Sequence, residues 1–174
     1  VGDLLTLWRR SAERLERRLA GLHDGEFFWP PVPGAWTVFE GPDGRTYQYE
    51  FAPPPPPPVT TIAWRLHHIA ANNWIYWEYA FGAAERTFPD LTVYHTAADA
   101  IADWQASTAP IVAWLEDASE QALDEMRPNH QGPDLSARTV VTILLDEQIH
   151  HGAEIALLRD LYARRERGEP SRGE

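Results

Sequence analysis

A chain of 174 residues with a formal net charge of −11 and no cysteine can build one core of ordinary size without covalent staples. The acidic balance disfavours nucleic acid as a partner, because phosphate backbones reward a basic stripe. The lack of cysteine excludes disulfides, thiolate metal sites and a cysteine nucleophile, and it fits a reducing cytoplasm.

The N-terminal stretch is amphipathic and charged, without the apolar segment of a secretory signal, and no run of residues reaches membrane-spanning length, so no membrane is expected as a partner. Arginines gather near both ends, in "WRRSAERLERR" and "RDLYARRER", but glutamates interleave them, which is the pattern of solvated helix faces. Eight tryptophans supply a large apolar payload, most of it destined for the core.

Four helices are predicted in chain order. The first covers roughly Leu4–Leu22, with Leu5, Trp8, Ala12, Leu15 and Leu19 at helical spacing, and His23-Asp24-Gly25 closes it. A long connection, 24–58, follows. Within "AWTVFEGPDGRTYQYEF", Trp36 and Val38 on one side and Tyr47, Tyr49 and Phe51 on the other flank Gly41-Pro42-Asp43-Gly44, which predicts a small aromatic hairpin. Six consecutive prolines, Pro53–Pro58, form a stiff lead into the next element. The second helix covers roughly Val59–Phe81, opened by Thr60-Thr61 and closed by Gly82. The third covers roughly Ala97–Asp117, with Pro110 expected to kink or split it. After an irregular connection with a short helical turn around Glu120–Met126, the fourth covers roughly Ala137–Arg165. The expected fold is all-α: a four-helix bundle with long crossover connections and a small hairpin-like insertion between the first two helices. Residues 1–174 form one domain, with 166–174 as a flexible tail.

The fourth helix contains a conflict. On a helical wheel at about 100° per residue, Val140, Leu144, Ile155, Leu158 and Tyr162 all fall within about 40° of His151. These residues face the core, and His151 lies at the centre of their stripe with Glu147 at its edge. A carboxylate inside a bundle costs several kcal/mol or takes up a proton unless something compensates it. A protein partner, access to solvent at a pocket mouth, or a metal would each do so. Glu147 and His151, at i and i+4, project side by side and can reach one ion. The second helix, "TIAWRLHHIAANNWIYW", carries His67 and His68 in an apolar and aromatic setting. His68 shares a face with Thr61, Trp64, Ile75 and Tyr79, while His67 points about 100° away. Bundles build metal centres from facing helices in this way. Two imidazoles and one carboxylate suit zinc, nickel, iron or manganese and leave positions open for water or substrate.

The segments "TTIAWRLHHIA" and "IHHGAEIALLRDLY" resemble the DinB-like superfamily of four-helix metalloproteins, related to the YfiT-type thiol-dependent transferases, and the resemblance extends over nearly the whole chain. It implies a divalent metal held by one histidine of the second helix and an H-x-x-x-H pair of the last. Matched residue by residue, these positions are His68, Glu147 and His151, so a glutamate stands where the family usually has the first histidine of the pair. The resemblance also implies chemistry with a low-molecular-weight thiol of the bacillithiol or mycothiol type, in which the metal holds the thiol as thiolate. With no cysteine in the chain, such a thiol comes from outside.

The enzyme expected on this basis is a metal-dependent thiol S-transferase or hydrolase acting on a small-molecule substrate. Glu154 and His150 are its candidate catalytic proton acceptors. The alternatives are a non-catalytic ligand- or metal-binding bundle and an inert member with a degenerate site. Trp74, Trp77 and Ile149, read as outward-facing, suggest a homodimer as the means of covering them.

Overall fold

The computed structural model describes residues 1–42 and 44–166, with only the backbone given for Arg45 and Glu166. The tail expected at 166–174 therefore lies outside the described residues, apart from that one backbone position. Four long helices form the bundle: α1 (Gly2–Leu19), α3 (Ile62–Phe81), α4 (Ala97–Asp117) and α6 (Ala137–Glu166). Between them come the short helices α2 (Asp24–Phe27) and α5 (Glu120–Asp124). Two antiparallel hairpins join these, β1 (Val38–Gly41) with β2 (Gly44–Tyr47), and β3 (Met126–Asn129) with β4 (Gly132–Ser136).

Helix α3 packs against both α4 and α6, and α1 packs against α6. The first helix ends at Leu19, earlier than the predicted Leu22, and His23 does more than close it: its imidazole accepts from the Glu26 N–H and caps α2. Helix α3 starts at Ile62 because the Thr61 hydroxyl accepts from the Trp64 N–H. Helix α4 is capped by Thr96 in the same way, and the Asp24 carboxylate accepts a further bond from the Ala97 N–H at 2.7 Å. Pro110 does not split α4, which is a single helix from Ala97 to Asp117.

The core stripes are as the periodicity requires. Val140, Leu144, Ile155, Leu158 and Tyr162 of α6 are all buried, as are Trp8, Leu15 and Leu19 of α1. A polar layer crosses this core. Asn73 donates to the Ser107 hydroxyl at 3.1 Å, and the Trp104 indole donates to Gln148 Oε1 at 3.1 Å, tying α3 to α4 and α4 to α6. At one end of the bundle Arg159 makes a two-pronged pair with buried Glu26, at 2.9 and 3.1 Å, and also donates to the carbonyls of Arg18 and Ala20 where α1 ends.

The first hairpin is shorter than the aromatic pattern suggests. Val38 pairs with Tyr47 and Gly41 with Gly44, while Tyr49 and Phe51 lie beyond the paired strands. Trp36 instead forms an isolated parallel bridge to Thr60, which ties the insertion to the start of α3. The second hairpin is not predicted from sequence, which gives only a helical turn in that region. Trp77 is half-buried rather than outward-facing, stacked on Phe81 with centroids 4.1 Å apart and set against Trp114. Trp74 is likewise half-buried, with its indole bonded to Asp103. The chain itself covers these two rings, and Ile149 alone of the three residues is exposed, at 44%.

The Glu26–Arg159 pair gives a direct stability test. Removing the carboxylate in Glu26→Ala leaves a half-buried guanidinium without its counter-charge and is expected to cost about 3 kcal/mol. Urea denaturation of variant against wild type measures this.

Candidate metal centre

Helices α3 and α6 face each other across the bundle and bring three side chains together. Nε2 of His68 lies 3.0 Å from Oε2 of Glu147, and Nε2 of His151 lies 3.2 Å from the same oxygen. The three ligand atoms all lie within 4.8 Å of one another, a separation at which all three can hold one metal ion. His67 takes no part. It sits one position earlier on α3, packs its ring against Tyr47 at 4.6 Å, and lines a different cavity.

The surroundings fix the orientation of each ligand. Trp64, one turn before His68, stacks on its ring with centroids 4.8 Å apart and planes 15° from parallel. Trp64 is itself held by a 2.6 Å bond from its indole N–H to the Gln48 carbonyl, just after β2. Asn72, one turn after His68, has Nδ2 3.1 Å from both His68 Nε2 and Glu147 Oε2. On the other side, Nδ1 of His151 lies 2.6 Å from Oε2 of Glu154, and Arg65 Nε donates to that same oxygen at 2.9 Å. The short bond commits the Nδ1 proton to Glu154, so the nearby Arg65 Nη1 is a neighbour of Nδ1 and not its partner. With Nδ1 acting as donor, the Nε2 lone pair of neutral His151 points toward Glu147. A carboxylate bonded to the far nitrogen of a histidine in this way is the usual support of a metal-bound imidazole.

The protonation states agree with that role. Hydrogen bonds with His151 and His68 hold the Glu147 carboxyl far below the usual carboxylate range, so it is anionic. Burial pushes His68 down, so its ring is neutral. Burial also opposes a charge on His151, but hydrogen bonds with Glu147 and Glu154 outweigh it and raise this ring. Burial alone would raise Glu154, yet His151 and Arg65 bring it down. A metal needs an anionic carboxylate and neutral imidazoles with their lone pairs aimed at it, so binding here requires His151 to release a proton and neutral His68 to carry its proton on Nδ1 rather than on the Nε2 that faces Glu147.

Glu154 and His150 form a second cluster with His151, on the side away from Glu147. The His150 ring is largely exposed, stacks on His151 with centroids 4.6 Å apart, and approaches Glu154 at 3.5 Å. His151 meets this group through Nδ1, the nitrogen already committed to Glu154. Glu154 thus orients His151, with Arg65 behind it. Asn72 and Arg65 were not singled out from sequence. Their signal was spacing: Asn72 at i+4 and Arg65 at i−3 from His68 share its helix face.

A cavity of about 250 Å³ opens beside two of the three ligands. His68 and Glu147 form its floor, and Tyr47, Tyr49, Tyr76, Phe88 and Ile143 line its walls. The first hairpin and the segment after it provide Tyr47 and Tyr49, so the insertion roofs the site.

Residues 48–155, more than half of the sequence, match the DinB superfamily. The chain belongs to the DinB superfamily. A crystal structure of a conserved protein from Enterococcus faecalis is similar over 94% of this chain and 96% of that one, with a TM-score of 0.55 and 15% identity, which shows a shared fold. No curated protein matches the chain in sequence. The matched region contains His68, Glu147, His151 and the residues that orient them.

Glu154 gives the site's sharpest test. Glu154→Ala removes the acceptor of the His151 Nδ1 proton and is expected to weaken metal affinity by about 10–100-fold. His150→Ala leaves that bond intact and is expected to change affinity little. Titration against a chelator of known affinity measures both.

Proposed function

We propose that this DinB superfamily member is a divalent-metal-binding protein whose His68, Glu147 and His151 hold the ion. The observation that carries this reading is the convergence of two imidazole nitrogens on one carboxylate oxygen, with His151 oriented from behind by Glu154 and Arg65. A mixed nitrogen and oxygen ligand set suits zinc, nickel, iron or manganese. The carboxylate lowers the charge of the complex relative to a three-histidine centre and so softens its Lewis acidity. When bound, the metal supplies the means to lower the pKa of a water or thiol beside it.

The activity we infer is transfer of an external low-molecular-weight thiol to a compact electrophile seated in the aromatic cavity. The chain has no cysteine, so the nucleophile has to come from solution. Tyr47, Tyr49, Tyr76 and Phe88 provide flat apolar walls for the acceptor beside His68 and Glu147. Among the described residues none lining this cavity is Lys or Arg, which favours an uncharged acceptor and gives no counter-charge to the carboxylates of a large thiol. One observation favours a second reading, a bundle that binds metal or ligand without turnover. Glu154 is already bonded to His151 and Arg65, and among the described residues the other carboxylate of the cluster is Glu147, itself a ligand, so none is free to accept a proton.

Metal content tests the shared part of both readings. Protein purified without added metal and then reconstituted should carry stoichiometric transition metal by elemental analysis. Glu147→Ala and His68→Ala should lose it while keeping the helical circular dichroism spectrum. Glu147→His, which restores the H-x-x-x-H spacing, should retain metal with an altered preference among zinc, nickel and manganese. Trace metal in wild type, unchanged on reconstitution, would sink the proposal. Turnover of thiols with electrophiles by the loaded protein then separates the two readings.

A further inference from the structure

The face of α3 that carries His67, about 100° from His68, borders a second and larger cleft of about 500 Å³ between α3, α4 and the segment joining them, next to the first across Ala71. Three alanines keep it open: Ala71 on α3, and Ala102 and Ala106 on α4. One of its polar groups has no partner. His67 lines it and is only 6% exposed, yet its Nε2 has no hydrogen-bond partner. A buried polar atom without a partner costs roughly 1–3 kcal/mol, which a ligand can recover.

Trp74 organises the rest of the wall. Its indole N–H donates to Asp103 Oδ1 at 3.0 Å, while the Arg86 guanidinium lies over its face at 5.4 Å. The same ring therefore holds a carboxylate at its edge and a cation on its face. Asp103 and Arg86 make no ion pair with each other among the described residues, although both line the cavity. Burial keeps the Asp103 carboxyl above its ordinary pKa, although the Trp74 hydrogen bond and the nearby Arg86 charge both pull it down. Leu91 and Tyr94 add apolar surface.

A carboxylate and a guanidinium kept apart on one wall, beside apolar surface and an unpartnered imidazole, complement a molecule bearing both charges. We propose that this cavity is a second binding site, for a small zwitterion of the amino-acid type with an apolar side chain. Its ammonium pairs with Asp103, its carboxylate with Arg86, and its side chain lies against Leu91, Tyr94 and the alanines. The site is independent of the metal, since none of the three metal ligands lines it.

Isothermal titration of the full chain with L-leucine, L-phenylalanine and L-tryptophan tests this, each beside its methyl ester and its N-acetyl derivative. At least one free amino acid should bind, and blocking either charge should weaken it by about tenfold or more. Arg86→Ala and Asp103→Asn should each weaken it comparably, while His151→Ala, which strips the metal centre, should leave it unchanged. Circular dichroism confirms that each variant is folded. No binding of any of the three at millimolar concentration overturns the proposal. So does equal binding of the blocked forms, or binding that survives both cavity variants or disappears in His151→Ala.

Discussion

A carboxylate placed inside an apolar bundle organises this molecule. Glu147 lies on the edge of the stripe that buries Val140, Leu144, Ile155 and Leu158, part-exposed at a cavity, and nitrogens from two helices converge on it and favour its anionic form. Without those partners the carboxylate would carry the cost of its partial burial uncompensated. His68 and Asn72 must therefore come from α3 at one helical turn's spacing, and α3 must lie against α6. Trp64, Arg65 and Glu154 then become necessary in turn, because each orients a ring that would otherwise rotate away.

The architecture supports this arrangement on both sides. The insertion between α1 and α3 is fastened at Trp36–Thr60 and at the Trp64–Gln48 bond, so the aromatic roof is tied directly to the ligand-bearing helix. Glu26 and Arg159 fix the far end, where α1 stops and α6 continues. The result is a rigid floor beneath an aromatic chamber, the condition under which a few polar groups can direct chemistry.

Much of this was legible in the sequence because helical periodicity is a strong signal. The four long helices, the stripe around His151 and the pairing of Glu147 with His151 all follow from a 3.6-residue repeat. The adjacent histidines were harder. His67 and His68 both sit in apolar surroundings, and only their wheel positions relative to Trp64 and Ile75 separate a centre-facing ring from a cavity-facing one. The hairpin of β3 and β4 escaped because "MRPNHQGPDLS" has no clean alternation and carries Pro128 and Pro133, as an exposed two-stranded ribbon permits. Asn72 and Arg65 escaped because their roles depend on what the opposite helix presents, which no single-helix pattern records.

The polar layer of Asn73, Ser107, Trp104 and Gln148 has a mechanical consequence. Helices in purely apolar contact can slide past one another by small shear steps, since one methyl neighbour replaces another at little cost. Here Asn73 and Gln148 directly follow Asn72 and Glu147 in sequence, and each is bonded to α4. An axial slip of α3 against α6 would strain at least one of these directional bonds at the depth of the metal ligands, so α4 acts as a spline that opposes a change in the spacing of His68 and Glu147.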